Sequence, residues 1–315
     1  MEVSEKLELM VAVARMYYED DINQFEIAQK LNLSRPTVSR LLSEARRRKL
    51  VEVTVNYPWR SDPLLEAELV KTFNLRDARV LAAGELSNAD TQKGVGVLGA
   101  QLIDKYLENG MTLAISRGTG VYSTVEALQP RPELKVNVVQ IQGALGDLLG
   151  DGSDIAIHLH GRYAGDFHFL HAPMLLENPL STEILLKEPT IRATLEKAKQ
   201  ADVALIGIGS TDPLVSSLLR HRLLTADELQ KLEEEGVVGD IAGRFYGEDG
   251  EELVDNPINR RTIGLKLVDL RRIPIVIGVA GGLAKVRAIR AALKAHSVSM
   301  LATDSGVAYH LLKDL

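Results

Sequence analysis

Residues 24–49 read QFEIAQKLNLSRPTVSRLLSEARRRK, and two helical periods run through them with a break between. Apolar residues at Phe25, Ile27, Ala28 and Leu31 recur at helical spacing. Asn32, Leu33 and Ser34 interrupt, and a second period follows through Val38, Leu41, Leu42 and Ala45. Ser34 is a good N-cap, because its hydroxyl accepts from the free N–H groups of a first turn, and Pro36 falls in that turn, where a missing N–H costs nothing. The pattern predicts helix, short turn, helix. Arg35, Thr37, Ser39 and Arg40 fall in the leading part of the second helix and are candidates to contact bases and nearby phosphates. Its far end carries Arg46, Arg47, Arg48 and Lys49 against one acid, Glu44. Cations there complement the negative end of a helix dipole, and Arg46 and Arg47 are further candidates for contacts to a DNA backbone. Cap, turn, apolar period and basic face agree at one place, which favours a DNA-reading helix pair over two unrelated helices.

Working outward, Leu7, Met10, Val11, Val13, Ala14 and Tyr17 mark an amphipathic helix that would pack behind the other two. Tyr17 and Tyr18 read as core and rim aromatics. After Lys49 the chain alternates as VEVTVNY over residues 51–57, which predicts a short strand of a winged module. Pro58, Trp59, Ser61, Asp62 and Pro63 then break regular structure. The expected organisation is a helix-turn-helix domain at 1–57, a linker and helix at 58–77, and a larger domain at 78–315. Within the linker, Leu64 to Phe73 is amphipathic and would either join the domains or help form a dimer.

Composition agrees with this division. At 315 residues the chain suggests about two domains, at ~150 residues each. Its content, 45% hydrophobic and 25% charged, is that of a folded soluble protein rather than a disordered one. The net charge of −6 argues against generalised polyanion binding, so contact with nucleic acid must come from a local basic surface such as 35–49. The absence of cysteine removes disulfides, thiolate nucleophiles and Cys-ligated zinc. The longest apolar run, Ile273 to Ala284, is too short and glycine-interrupted to span a bilayer. A cytoplasmic protein with no membrane partner is expected.

From Ala78 onward the order is strand, glycine-bearing loop, helix, repeated, which is the signature of a parallel sheet covered by helices. The clearest strands are Arg79–Ala82, Thr112–Ile115, Val136–Ile141, Val203–Ile208, Ile275–Val279 and Ser299–Ala302. Ligands bind such sheets outside the carboxyl ends of strands. After Ile115 come Ser116, Arg117, Gly118, Thr119 and Gly120 before a helix through Leu128. Glycines, a hydroxyl and a helix N-terminus together make an anion site, with phosphate the natural guest. Similar loops follow at Gln142–Gly146 and Ile206–Ser210, although strand-to-helix turns also use glycine for geometry alone. Asp240 lies between glycines in GVVGDIAGRFY, and Lys285 opens the helix after VIGVAGGLAK, where it would support a phosphate or sugar oxygen. Asp304 reads as the N-cap of the last helix. His158, His160, His168 and His171 crowd one region without a ligand spacing, so no metal is expected.

FEIAQKLNLSRPTVSRLLSEAR, ADVALIGIGS, GVVGDIAGRFY, IPIVIGVAGGLAK and LATDSGVAYHLL stand in an order and spacing that resemble the SorC family of sugar-binding transcriptional regulators across essentially the whole chain. The resemblance implies an α/β protein: an N-terminal (winged) helix-turn-helix domain, then a doubly wound, mostly parallel-sheet effector domain related to ribose-5-phosphate isomerase and glucosamine-6-phosphate deaminase. It implies a phosphorylated sugar bound rather than converted, and homodimers or homotetramers on double-stranded operator DNA. Carried onto this sequence, Gly118, Thr119 and Gly120, with Ser116 beside them, would cradle the phosphate. Gln142, Gly143, Asp240, Phe245 and Lys285 would surround the sugar. Many members have paired glycines followed by hydroxyl residues in the phosphate loop, where this chain has Arg117 before Gly118 and Gly120 after Thr119. Ala144 stands where a second glycine is common.

The expected function is regulation of a carbohydrate-utilisation operon by a phosphorylated sugar. The competing reading is a sugar-phosphate isomerase or deaminase with a DNA-binding appendage. It would rest proton transfer on Asp240 and Lys285 alone, a thin catalytic set. No catalytic residue, metal or cofactor is expected.

Overall fold

The computed structural model describes residues 3–48, 50–51, 58–84, 86–144, 155, 158–159 and 161–313. The chain divides into two units, Met1–Pro58 and Trp59–Leu315. Except for Val51, the strand expected over 51–57 lies outside the described residues, as do Lys49, Leu145, Gly146 and His160.

In the first unit, α1 (Val3–Tyr18), α2 (Gln24–Lys30) and α3 (Arg35–Arg47) enclose a core of Met10, Val13, Ala14, Ile27, Ala28, Val38, Leu41, Leu42 and Ala45. Each helix of the pair starts on a side-chain cap. Asn23 Oδ1 accepts from Phe25 N and Glu26 N, both at 3.1 Å, and Ser34 Oγ accepts from Thr37 N at 3.3 Å. Asn32, at φ 52°, turns the chain between them. Phe25 departs from the expected apolar stripe: it is 61% exposed, because this seven-residue helix buries only Ile27 and Ala28. Leu7 and Val11 on α1 are likewise exposed, while Met10, Val13 and Ala14 carry the packing.

The second unit runs α4 (Pro63–Phe73), β1 (Asp77–Leu81), α5 (Asn88–Tyr106), β2 (Thr112–Ile115), α6 (Thr119–Ala127), β3 (Arg131–Lys135), β4 (Asn137–Gln140), β5 (Tyr163–Ala164), β6 (Phe167–His168), α7 (Pro179–Lys187) and α8 (Pro189–Lys199). It continues with β7 (Val203–Gly207), β8 (Gly209–Ser210), α9 (Ser217–Arg220), α10 (Ala226–Glu234), β9 (Gly239–Ile241), β10 (Arg244–Tyr246), α11 (Leu267–Leu270), β11 (Ile275–Val279), α12 (Val286–Lys294), β12 (Met300–Asp304) and α13 (Ser305–Lys313). Seven strands form one sheet in the order β1-β12-β11-β7-β2-β4-β6, every pair parallel.

Alternation along the strands explains the layers. Val203 and Leu205 of β7 point into one core with Leu113, Ile115, Ile275, Ile277, Met300 and Ala302, while Ala204 and Ile206 enter the other with Ala114, Val276 and Leu301. A sheet buried on both faces needs apolar residues at every position, and each fully buried Val, Leu or Ile contributes roughly 1.5–3 kcal/mol. Expected strands coincide with β2 and β11 and differ from β1, β4, β7 and β12 only at their ends. The sequence pattern does not reveal the edge strand β6 or the antiparallel β10-β9-β8 ribbon, each built from strands of only two or three residues. The helix expected to join the domains or help form a dimer, α4, packs on the sheet: Leu69 and Phe73 are buried in the core that also holds Ala78, Val80, Val307 and Leu311.

From β2 the chain proceeds outward through β4 and β6; from β7 it proceeds the other way through β11 and β12. Connections therefore diverge at the carboxyl ends of β2 and β7, and such a switch point leaves a crevice there.

Candidate functional site

A cleft opens at that switch point in two lobes that share Thr119, Gly120, Val215, Arg220, Val279 and Lys285. The larger lobe, about 390 Å³, lies toward α5. The smaller has Arg117, Gln142, Gly209, Asp240 and Gly243 in its wall. Gly118 caps α6 with φ 132°, a conformation that favours glycine, and supplies no side chain to the first turn. The free N–H groups of that turn and the positive end of the helix dipole are therefore left for a ligand.

Ser116, expected beside the phosphate, is buried, and its hydroxyl is engaged by backbone. It donates to Arg117 O and accepts from Gly207 N, both at 3.1 Å, locking the ends of β2 and β7 together. Gln142 is 5% exposed. Its Nε2 approaches Met174 Sδ at 3.4 Å, while Oε1 is buried with no hydrogen-bond partner among the described residues. Gly143 sits beside an adjoining small hollow with Gln142 and Ala144; a Cβ there would meet Ala172 O at 2.5 Å. Phe245 is not brought to the cleft. Its ring is 1% exposed in a cluster with Met174, Leu218, Leu229 and Ile258.

Asp240 and Lys285 both line the smaller lobe. Asp240 Oδ2 accepts from Gly243 N at 3.1 Å. Burial pushes the carboxyl above its ordinary range, opposed by the Arg117 charge, the Gly243 N–H and Lys285. Burial pushes the Lys285 ammonium down; Asp240 opposes this and Arg220 reinforces it. Arg220, which no periodic signal singled out, stands at the junction of the lobes at the end of a four-residue helix. Three cations against one carboxylate give the cleft a positive field suited to an anion.

Behind the floor, Asp304 caps α13 as expected: Oδ1 accepts from Val307 N at 3.1 Å and Oδ2 from Gly282 N at 2.7 Å. No group of three or more metal-binding side chains occurs among the described residues. His158 contacts Glu126, and His168 Nε2 lies 2.8 Å from Lys197 Nζ.

On α3, Arg35, Ser39 and Arg40 are exposed. Thr37 is half-buried, and its Oγ1 lies 2.8 Å from Ser34 Oγ, which ties it to the cap. Arg46 Nε donates to Tyr18 Oη at 2.6 Å, with its guanidinium 5.6 Å from the ring centre. Arg47 forks onto Glu44 at 2.6–2.9 Å, and Arg48 reaches the same carboxylate at 2.7 Å. Hydrogen bonds from both arginines hold Glu44 below the usual carboxylate range. The basic end of α3 is thus partly neutralised by Glu44, although Arg46, Arg47 and Arg48 stay exposed, while Arg35 and Arg40 in the leading half pair with no carboxylate among the described residues.

The Sugar-bind family model matches residues 59–313, and the Sigma-70, region 4 model matches residues 12–48. A sorbitol operon regulator of Klebsiella pneumoniae is 32% identical over 99% of this chain and 100% of its own length. The chain belongs to the SorC family of sugar-binding transcriptional regulators. The SorC-family likeness extends to a deoxyribonucleoside regulator of Bacillus subtilis, 32% identical over 99% of each chain. It holds in three dimensions too: the crystal structure of the full-length sorbitol operon regulator SorC from K. pneumoniae aligns with a TM-score of 0.74 at 31% identity, covering 98% of this chain and 99% of that one. These relatives are regulators. The chain is a sugar-responsive, DNA-binding regulator of transcription and not an enzyme, so the isomerase or deaminase reading is set aside. Among the described residues no helix is long and apolar enough to cross a membrane.

Proposed function

We propose that this SorC-family protein controls a carbohydrate-utilisation operon by binding a phosphorylated sugar in the cleft between the ends of β2 and β7. The observation that carries this is electrostatic. Arg117, Arg220 and Lys285 outnumber Asp240 around the uncapped N-terminus of α6, and such an arrangement favours a multiply charged anion. Thr119 and Gly120 present the first turn of α6 to the phosphate, Lys285 and Arg220 flank it, and Gln142 and Asp240 take sugar hydroxyls. Gly118 shapes the turn, whereas Ser116, Gly143 and Phe245 act as support. The names of two relatives, a sorbitol operon regulator and a deoxyribonucleoside regulator, support a carbohydrate-type effector.

Operator DNA is read by the leading half of α3, with Arg35 and Arg40 as principal contacts and Ser39 and Thr37 beside them. Two-fold operators match two-fold oligomers, so a homodimer or homotetramer is the DNA-binding form. Effector binding shifts the balance between states of different DNA affinity by its differential affinity for them. Calorimetric titration of the purified chain with sugars and their phosphates tests the effector class. A phosphorylated sugar should bind at least tenfold more tightly than its unphosphorylated counterpart; equal affinities would refute the assignment.

A further inference from the structure

The two lobes of the cleft differ in chemistry. Arg117 and Asp240 line the small lobe alone, and Arg220 and Lys285 stand where the lobes meet. Beyond that junction the large lobe is walled by Asn88, Thr91, Gln92 and Val95 of α5 and by Leu283, with no charged side chain. Its volume of about 390 Å³ is at the small end of the range for small-molecule sites, ~300–1,000 Å³, and matches a monosaccharide better than a longer chain.

The face of α5 that meets this lobe has a pattern of its own. Asn88, Thr91, Gln92 and Val95 are spaced i, i+3, i+4 and i+7 and share one side of the helix. Further along, the same side continues as Leu98, Gly99 and Leu102, all buried. The stripe is apolar from Val95 onward, and amide or hydroxyl at Asn88, Thr91 and Gln92, where it faces the cavity. A helix end that simply met solvent would carry charge as readily on this side as on any other. Yet the charged residues of the first two turns, Asp90 and Lys93, lie off the cavity wall, and Asp90 is tied to the cap by Ser87 Oγ at 2.7 Å. Neutral groups that both donate and accept suit sugar hydroxyls, which do the same.

We propose that the Asn88–Thr91–Gln92 face of α5 is a specificity surface of the cleft, holding the sugar hydroxyls that face the large lobe, while Gln142 and Asp240 take those that face the small lobe and the anionic end is held between them at α6, Arg220 and Lys285. This rests on the effector being a phosphorylated sugar. The face selects among such sugars because a polar group matched to a hydroxyl rejects an analogue that leaves it unpaired.

The test uses the full chain, titrated calorimetrically with orthophosphate, ribose 5-phosphate, glucose 6-phosphate, fructose 6-phosphate and sorbitol 6-phosphate. Wild type is compared with Asn88→Leu/Gln92→Leu and with Thr91→Val; Asn88→Ala/Gln92→Ala guards against a misfolded double variant, with thermal midpoints as the check. In the variants orthophosphate should bind within twofold of wild type. The tightest sugar phosphate should weaken at least tenfold, and the order of preference should change. If a sugar phosphate binds wild type and all variants with the same affinity and order, this specificity role is overturned while the effector class stands. If none binds wild type, both fall together.

Discussion

Asp304 holds Gly282 through a 2.7 Å hydrogen bond from the glycine N–H to Oδ2, while its Oδ1 takes Val307 N and caps α13. One carboxylate thus joins the cleft loop after β11 to a helix whose Val307 and Leu311 share a core with Leu69 and Phe73 of α4. α4 begins at Pro63, a few residues beyond the end of the DNA-binding unit. Asp304→Asn retains an oxygen for Val307 but offers Gly282 an N–H in place of an acceptor. We expect about 1–3 kcal/mol of destabilisation and a reduced effect of sugar phosphate on DNA affinity. Denaturant unfolding and anisotropy titrations would measure the two; an unchanged response would remove Asp304 from the coupling.

Gly209 pairs with Asp240 across β8 and β9, and a Cβ on it would lie 1.9 Å from Asp240 Oδ1. Gly209→Ala must therefore displace the carboxylate from the cleft floor. Effector affinity should fall about tenfold or more, equivalent to ~1.4 kcal/mol, with DNA binding unaltered in the absence of effector. Isothermal titration and gel shifts separate the two properties.

On α3 the arginines divide by what already holds them. Arg40→Ala should cost about 1–3 kcal/mol of operator affinity, relax sequence preference and leave sugar-phosphate binding intact. Arg47→Ala removes an exposed pair with Glu44 and should leave operator affinity within about twofold of wild type. Competition binding with mutated operators distinguishes the outcomes, and loss of sugar-phosphate binding in Arg40→Ala would count against the division.

Asp77 on β1 gives the second unit an acid-sensitive tie. Burial alone would raise its carboxyl, but hydrogen bonds from Lys105 and Tyr106, with the Arg79 charge, hold it below its ordinary value of 3.8. A depressed carboxylate contributes stability that is present above the unfolded value and lost as pH falls through the folded one. Unfolding measured from pH 5 to pH 2 should show this loss beginning near pH ~4, and Asp77→Asn should flatten that limb.

Much of this was legible from local pattern. Ser34 and Pro36 mark the start of α3, and the continuous apolar runs mark the inner strands, because capping and two-sided burial leave signals within a few residues. What was not legible depends on distant partners. Arg46 is held by Tyr18, far back on α1; Phe245 and Asp240 are register partners across a hairpin, yet only the aspartate reaches the cleft. Arg220 and the Asn88–Gln92 face acquire meaning only when loops after different strands converge. That one face of α4 packs into the core was hidden for the same reason, since an amphipathic stripe does not state which surface it will cover.

The most direct measurement is the affinity of the full chain for DNA that it selects from a random pool, with and without a saturating sugar phosphate. At least one member of the panel should change that affinity fivefold or more, ~1 kcal/mol of coupling, and Lys285→Met should abolish the change while leaving effector-free DNA binding intact. Tight DNA binding that no sugar phosphate alters would contradict the account.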